Sequence, residues 1–526
     1  MALPFIYADF HGGLNTKDAP YLLTDDQSRD LQNVQGTTAG AIVKRTGLTT
    51  LATPAVTLTS LFPSEATSPN VLVGAGGTNL YSITSGGVVT SIKSSLTNNA
   101  RWEWVSAPAT GGQGPVYGID GTDNPQQWTG SGSTADWTPS DAGYDGWGGI
   151  TGTGVPNGKY MAYTQNQIFI AGLTDYPHRV CWCAIGQPRI WHSLDTSVPP
   201  APTGANFAEF DPNDGQPITG LGVIGPYVLV FKRRKAWVIV STTSTTAAGA
   251  ISQTPTLRQL SSNVGCVSHR SIAAGPNGTY FLAEDNGVYL TNGSKLTEMS
   301  AQIQPTIDSI TDRTRTAGVW FDGHYYLSAP ILSASNDTVL DYDEALQSWW
   351  KHDFGSNQFA IWHPTGTARL YSAKGTSAVV DRCFTPNTYT DNGNAFTWFW
   401  RGPWQSPSYA RRRRFPTPYY RKRLRQLRYD GSGYVDFYIA KDFIGSEVLQ
   451  HQNIFNYDPS ADLFAGSGTF AGTGFFAGQA GVVEARAYTL GVANSFSIVF
   501  TGSSSSPATV NSYTMLLTDR KDLVVA

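Results

Sequence analysis

A unit that returns about every 45 residues constrains this chain more than any other feature. In each copy a short run of β-formers meets a turn, and a second run follows, often with an aromatic residue near its end. Copies read NVLVGAGGTNLYSIT (Asn70 to Thr84), GPVYGIDGTDNPQQWTG (Gly114 to Gly130) and QIFIAGLTDYPHRVCWCAI (Gln167 to Ile185). They continue as YVLVFKRRKAWVIV (Tyr227 to Val240), GTYFLAEDNGVYLTNG (Gly278 to Gly293), TAGVWFDGHYYLSAP (Thr316 to Pro330) and QFAIWHPTGTARLYSA (Gln358 to Ala373). Gly76-Gly77, Gly86-Gly87, Asn286-Gly287, Asn292-Gly293 and Asp322-Gly323 sit between such runs, and dipeptides of this kind accept the positive φ of two-residue hairpin turns. The spacing suits one four-stranded propeller blade, so the expectation is an all-β chain built around a β-propeller of six or seven blades. A pair of β-sandwiches is the rival architecture.

The chain has 526 residues, too many for one ordinary core. Only 14% are charged, with 55 Gly and 15 Trp. That profile suits many tight turns, and it suits a subunit that buries surface against neighbours. The expected organisation is an N-terminal arm over residues 1–40, a propeller over 41–394 and a smaller β domain over 395–526. The polar arm leads into a strand near Ala41 to Leu51 that completes the last blade, leaving Gly12 to Gln35 free to reach a neighbour. Near the C-terminus VDFYIAKDF, VVEARAYTL, SFSIVFTG and VNSYTMLLTDR alternate as strands with one buried face do. They read as a β-sandwich.

Chemical signatures are sparse. MALPFIYADFHGG lacks the basic and apolar regions of a secretory signal, and no run approaches the roughly 18 apolar residues of a membrane span. The expectation is a soluble chain made in a cytoplasm. Cys181, Cys183, Cys266 and Cys383 show no zinc-ligand spacing and read as reduced, buried residues. Two G-x-G-x-x-A matches, Gly466 to Ala471 and Gly472 to Ala477, do not join a strand to a helix, so they do not read as phosphate cradles. The eight histidines show no pair at metal spacing. Asp341, Asp343 and Glu344 cluster beside Trp349 and Trp350. Paired carboxylates serve glycoside hydrolysis, but here they sit at a strand-to-turn transition. The reading is a chain with no catalytic residues, no cofactor and no metal.

Two segments stand out. Between Arg401 and Arg428 lie ten basic residues and no acid: Arg401, Arg411, Arg412, Arg413, Arg414, Arg421, Lys422, Arg423, Arg425 and Arg428. The remainder holds 26 basic against 39 acidic residues, a net charge of −13, while the whole chain carries −3. Arginines with Phe415, Tyr419 and Tyr420 among them suit nucleic-acid phosphates and bases. They suit the carboxylates of an acidic neighbouring subunit better, given the charge of the rest. Arg411 to Arg414, Arg421, Lys422, Arg423 and Arg425 are therefore the candidate subunit or adaptor interface. The second segment, FAGSGTFAGTGFFAG, repeats Phe-Ala-Gly on a glycine-rich backbone. Phe464, Phe470, Phe475 and Phe476 read as a loop whose rings need a partner surface.

The opening GGLNTKDAPYLLTDDQSRDLQNV with AIVKRTGL resembles the start of tail structural proteins of tailed phages, where an L-x-N-V arm precedes a K-R-x-G strand. ITGLGVIGPYVLVFKRRKAWVIVSTTSTTAAGAISQTPTLRQLSSNVGCVSHRSIA (Ile218 to Ala273) resembles the middle of the tail nozzle, or packaged-DNA-stabilising, proteins of short-tailed phages. The resemblance rests on Ile218 to Leu221, Val228 to Phe231, Thr245 to Gly249 and Gly265-Cys266, with YRKRLRQLRYDGSG leading into the terminal sandwich. It implies a structural virion protein that forms a ring, six-fold in such proteins, assembled in the bacterial host cytoplasm. Such a ring extends the DNA channel and helps retain packaged DNA. The implied partners are copies of the chain, adaptor and portal proteins above, and fibre, spike or plug proteins below. Double-stranded DNA would pass the lumen without specific binding. A glycan-binding or glycan-depolymerising propeller of a phage tail is the alternative, motivated by the tryptophans and Asp341 to Glu344.

Overall fold

A computed structural model describes residues 3–65, 70–107, 114–138, 155–191, 205–245, 251–284, 287–405, 421–442, 447–451, 483–493 and 495–520, with backbone alone in several outer strands. Seven four-stranded antiparallel sheets follow one another along the described chain. Blade 1 opens with Ser60–Ser64, blade 2 with Glu103–Ser106, blade 3 with Tyr160–Thr164 and blade 4 with Ile218–Ile224. Blade 5 opens with Ala273–Gly275, blade 6 with Ala317–Phe321 and blade 7 with Ser356–Trp362. Each opening strand abuts those of the neighbouring blades, and the last abuts the first. These seven strands therefore wall a central channel, and the fold is a seven-bladed propeller.

Turn chemistry explains the hairpins. Asp322 and Gly323 both take positive φ, 51° and 85°, as a two-residue hairpin turn requires. Blade 3 makes the same turn with Gln165 and Asn166, at 51° and 59°. Between blades the cores are mainly aliphatic, with large aromatic rings set among them. Trp102, Trp137, Trp182, Trp191 and Trp362 are each fully buried.

Blade 7 lacks a fourth strand of its own. Gly47–Ala52 supplies it, pairing antiparallel with Val380–Thr385 so that Ala52 lies opposite Val380. This is the ring closure expected near Ala41 to Leu51, displaced by a few residues. The preceding strand, Ile42–Lys44, belongs elsewhere.

The second body is a sandwich of two six-stranded sheets. One sheet runs Val483–Ala493, Arg421–Gly433, Ala508–Arg520, Ile42–Lys44, Val34–Gly36, and Leu3–Tyr7 also pairs with Ala508–Arg520. The other runs Thr390–Asp391, Asn394–Arg401, Phe496–Ser504, Asp436–Lys441, Val448–His451, and Asp30–Gln32 pairs with Asn394–Arg401. The N-terminal residues thus donate four of the twelve strands. The arm is extended chain, but Gly12 to Gln35 is not free to reach a neighbour. Its apolar side chains Leu14, Leu23, Leu31 and Val34 are buried within its own molecule, while Tyr21 and Leu22 stay exposed. Phe10 is fully buried edge-on against Trp400 at 5.0 Å, and the Asn33 amide donates to the Lys351 carbonyl on blade 6 at 2.8 Å. Gly13, at φ +59°, lies so close to blade 6 that a Cβ would sit 2.6 Å from the Trp349 carbonyl oxygen. One apolar core runs from blades 5 and 6 into the sandwich without interruption.

Candidate functional site

Two clusters of charge lie on opposite sides of the question of structure against function. The first is the seam where arm, blade 6, blade 7 and sandwich meet. Arg45 is fully buried there. Its guanidinium grips Asp391 with two bonds, Nη1 to Oδ1 at 2.9 Å and Nη2 to Oδ2 at 2.6 Å, and reaches Asp353 at 3.2 Å. Nε donates to the side chain of Asn33 at 2.8 Å, and the guanidinium lies 4.0 Å from the centre of the Phe396 ring. Lys44 beside it donates to the carbonyls of Tyr389 and Ser504. Desolvation first, and then the neighbouring Arg45, bring the Lys44 ammonium down to about 8. A Cβ on Gly47 would overlap the Thr390 carbonyl. Leu31, Asn33 and Val34 are wholly buried. Thus every fixed residue of the L-x-N-V and K-R-x-G patterns is a member of this seam, and close packing is the physical reason for each.

The acidic cluster flanks the same seam. Asp341 on strand Thr338–Asp343 is fully buried and meets His324 Nδ1 at 2.7 Å, His352 Nε2 at 3.2 Å and the Gln35 amide of the arm at 3.1 Å. Burial opposes its ionisation, but the attraction of His324 and the hydrogen bonds from both histidines outweigh it, and the carboxyl stays far below its usual range. Burial likewise disfavours the His324 cation, yet Asp341 lifts that imidazole to about 9. His352, with no exposure, is pulled down by desolvation and stays neutral. The carboxylate is held by two imidazoles and the arm. It is not paired across a cleft with a second acid.

The second cluster is a funnel at the mouth of the propeller channel, with a cavity of about 410 Å³. It lies where the chain enters the innermost strands. Arg270, in the short turn His269–Ser271 before blade 5, reaches the opposite wall. Its Nε meets Glu103 of blade 2 at 2.6 Å, and Nη2 donates to Ser60 Oγ of blade 1 at 2.8 Å and to the Trp102 carbonyl at 3.1 Å. Nη1 donates to the Thr59 carbonyl. Arg101, just before blade 2, crosses in another direction and donates to the carbonyls of Thr314 at 3.0 Å and Arg315 at 3.4 Å, ahead of blade 6. The His269 ring stacks loosely on Tyr160 at 5.1 Å, and its Nδ1 accepts from the Leu221 amide of blade 4 at 3.3 Å. The channel is thereby strutted shut at this end, and the funnel is a blind cup.

Sequence reasoning did not find this cup. The signal was present in the repeat: a basic residue directly precedes or nearly precedes the innermost strand at Arg101, Lys159 and Arg270. Those positions are where a propeller points side chains into its channel mouth.

The residues singled out from sequence fare differently. Arg411, Arg412, Arg413, Arg414, Phe464, Phe470, Phe475 and Phe476 lie outside the described residues. Arg421, Lys422 and Arg423 sit on strand Arg421–Gly433, opposite Arg520, Asp519 and Thr518, and Arg425 falls at its bulge. That strand has a partner on both edges. Arg401 is placed with its side chain, and its acids are its own chain's: Asp30 at 2.7 Å and Glu447 at 2.8 Å. Cys181, Cys183, Cys266 and Cys383 are buried free thiols, as expected. Among the described residues no helix is long and apolar enough to cross a membrane.

No protein-family model matches the chain, and no curated protein matches it either. Solved structures do. BBS1N in complex with ARL6DN aligns with 11% identity and a TM-score of 0.40, covering 65% of this chain and 98% of that one. A protein provisionally named a gluconolactonase aligns at 10% identity and TM-score 0.29, over 67% and 97%. AztD from Citrobacter koseri aligns at 11% identity and TM-score 0.32, over 57% and 86%. Likeness at this level concerns the propeller architecture. It does correct one expectation: the reading that this chain is not an enzyme is withdrawn, because a chain named for an enzymatic activity stands among those of similar fold.

Proposed function

We propose that the chain is a structural subunit of a phage tail, a nozzle or hub that closes into a ring with copies of itself and extends the DNA channel. What supports this reading is the sequence: an arginine-rich stretch and a glycine-phenylalanine stretch, unlike in charge and polarity, each flanked by strands of the sandwich. Residues 406–420, with the arginine tetrad, leave the sandwich at Gln405 and return at Arg421. Residues 452–482, with the Phe-Ala-Gly repeats, leave at His451 and return at Val483, opposite Gly431. Strand Arg421–Gly433 joins these two ends, and thirteen residues at about 3.3 Å each span roughly 40 Å. A ring made by rotation needs two different, complementary patches on separated faces of one subunit.

The seam adds support, since the L-x-N-V and K-R-x-G residues, which carry the arm's part of the resemblance to phage tail proteins, lie where sandwich meets propeller. In this reading double-stranded DNA passes through the lumen between subunits without specific binding, and the strutted propeller channel takes no part in conduction. Adaptor and portal proteins above, and fibre, spike or plug proteins below, are the further partners.

Light scattering and electron microscopy of the purified full chain test the proposal. The expected particle is a closed ring, six-fold by the resemblance, and Arg411, Arg412, Arg413 and Arg414 changed together to Glu release folded single subunits. A native chain that stays monomeric at every concentration tried, alone and with its virion, overturns it.

A further inference from the structure

The blind cup has more positive charge than its own acids can neutralise. Four cations line it, Arg101, Lys159, Arg233 and Arg270, against the two acids Glu103 and Asp120. Glu103 is committed to Arg270, and Arg233 shares Glu284 at 3.3 Å. Arg101 is held by two carbonyls and has no carboxylate within ion-pair distance among the described residues. Two of its five guanidinium N–H donors are thus fixed, which aims the rest. The Lys159 ammonium has no ion-pair or hydrogen-bond partner among the described residues.

Asp120, the second acid, is closed off within the wall. It is 7% exposed, its Oδ1 accepts from the amides of Thr122 and Asp123 at 2.9 and 2.8 Å, and its Oδ2 has almost no accessible surface. The positive charge that faces the cavity is therefore left unanswered.

We propose that the cup binds a small molecule carrying a phosphate or carboxylate group, gripped by Arg101 and Lys159. A volume near 410 Å³ holds a ligand of monosaccharide size. The two cations come from the entries to blades 2 and 3, so the anion lies between blades and its recognition depends on the closed ring of strands.

This inference stands apart from the ring proposal, and one can fail without the other. Isothermal titration of the full chain with inorganic phosphate, with glucuronate and with glucose tests it. At least one of the two anions is expected to bind at millimolar concentration or below, while the neutral sugar does not. Preference between the anions assigns the source as a phosphorylated compound or an acidic sugar. Arg101→Met and Lys159→Met are each expected to weaken binding at least about tenfold, as loss of one charge-assisted contact does. Lys159→Met is the safer variant, since that side chain holds nothing in place, and circular dichroism checks that both fold. The proposal is overturned if neither anion binds, if glucose binds equally well, or if both variants bind as the native chain does.

Discussion

The seam and the cup are both built around arginine, and they differ in how the charge is answered. At the seam Arg45 has no exposure and its donors meet Asp391, Asp353, Asn33 and the Thr46 carbonyl. In the cup Arg101 is exposed and no acid of the chain comes within ion-pair distance of it among the described residues. A cation fully answered by its own fold is a structural device, because removing it strands buried partners. A cation left unanswered in a concave site asks for something from outside. The contrast separates two arginine clusters that composition treats alike.

The largest effect expected is therefore at the seam. Arg45→Met leaves Asp391 and Asp353 without their cation in the joint of three bodies, and breaking such a pair costs about 3–5 kcal/mol. Arg45→Lys recovers part of it, since one ammonium cannot make the two parallel bonds to Asp391. Thermal or urea denaturation of the full chain reads both. Melting of Arg45→Met within error of the native protein would remove the seam from the list of structural devices.

Arg270 lies between the extremes, at the cup but buried and paired. Arg270→Met is expected to cost roughly 2–3 kcal/mol, the scale of hydrogen bonds to a charged group whose partner stays buried. The loss is smaller than at Arg45 because only one carboxylate, Glu103, is stranded. Loss comparable to Arg45→Met would make the strut as structural as the seam.

Acid and base probe the seam from another side. His324 is raised to about 9 by Asp341, so its contribution is fully present below an unfolded value near 6.5 and is lost as the pH rises through about 9. Asp341 is depressed, so its contribution is present above an unfolded value near 3.9 and is lost as the solution is acidified further. His352, held neutral by burial, also costs stability as the pH falls below its unfolded value near 6.5, so these three groups together give a maximum near pH 6.5, and Asp341→Asn should flatten both shoulders. A variant with the native pH profile would show that the histidines are not held through this carboxylate.

Much of the propeller was legible because its information is local. Asp322-Gly323 announces its hairpin through residues that tolerate positive φ, and the runs on either side alternate. Gln165-Asn166 makes the same turn without a glycine, so blade 3 reads less clearly. The sandwich was only half legible. Its C-terminal strands alternate, but the pairing of Ile42–Lys44 with Ala508–Arg520 joins residues more than 460 positions apart, and nothing in a short window of sequence records it. The polar look of the arm misled for the same reason: Asn33, Lys44 and Arg45 are polar residues satisfied inside the molecule by partners hundreds of positions away. The cup was missed because its charged members come from blades 2 to 5, far apart in sequence, and only the closed ring brings them together.

The smallest effect is the one that sharpens the contrast most. Lys159 is exposed and its ammonium has no partner among the described residues, while its stem lies over the Gly121 turn, where a Cβ would come within 2.7 Å of Lys159 Cγ. Methionine keeps that aliphatic contact and removes only the charge. Lys159→Met should therefore change stability by no more than about 0.5 kcal/mol in the absence of ligand. Loss of a cation from a site with surplus positive charge also relieves repulsion with Arg101 and Arg270, so any shift should be toward greater stability and should shrink as salt is added. Were Lys159→Met to destabilise the chain as Arg270→Met does, its ammonium would be answered within the fold. The distinction between a closed seam and an open cup would then rest on Arg101 alone.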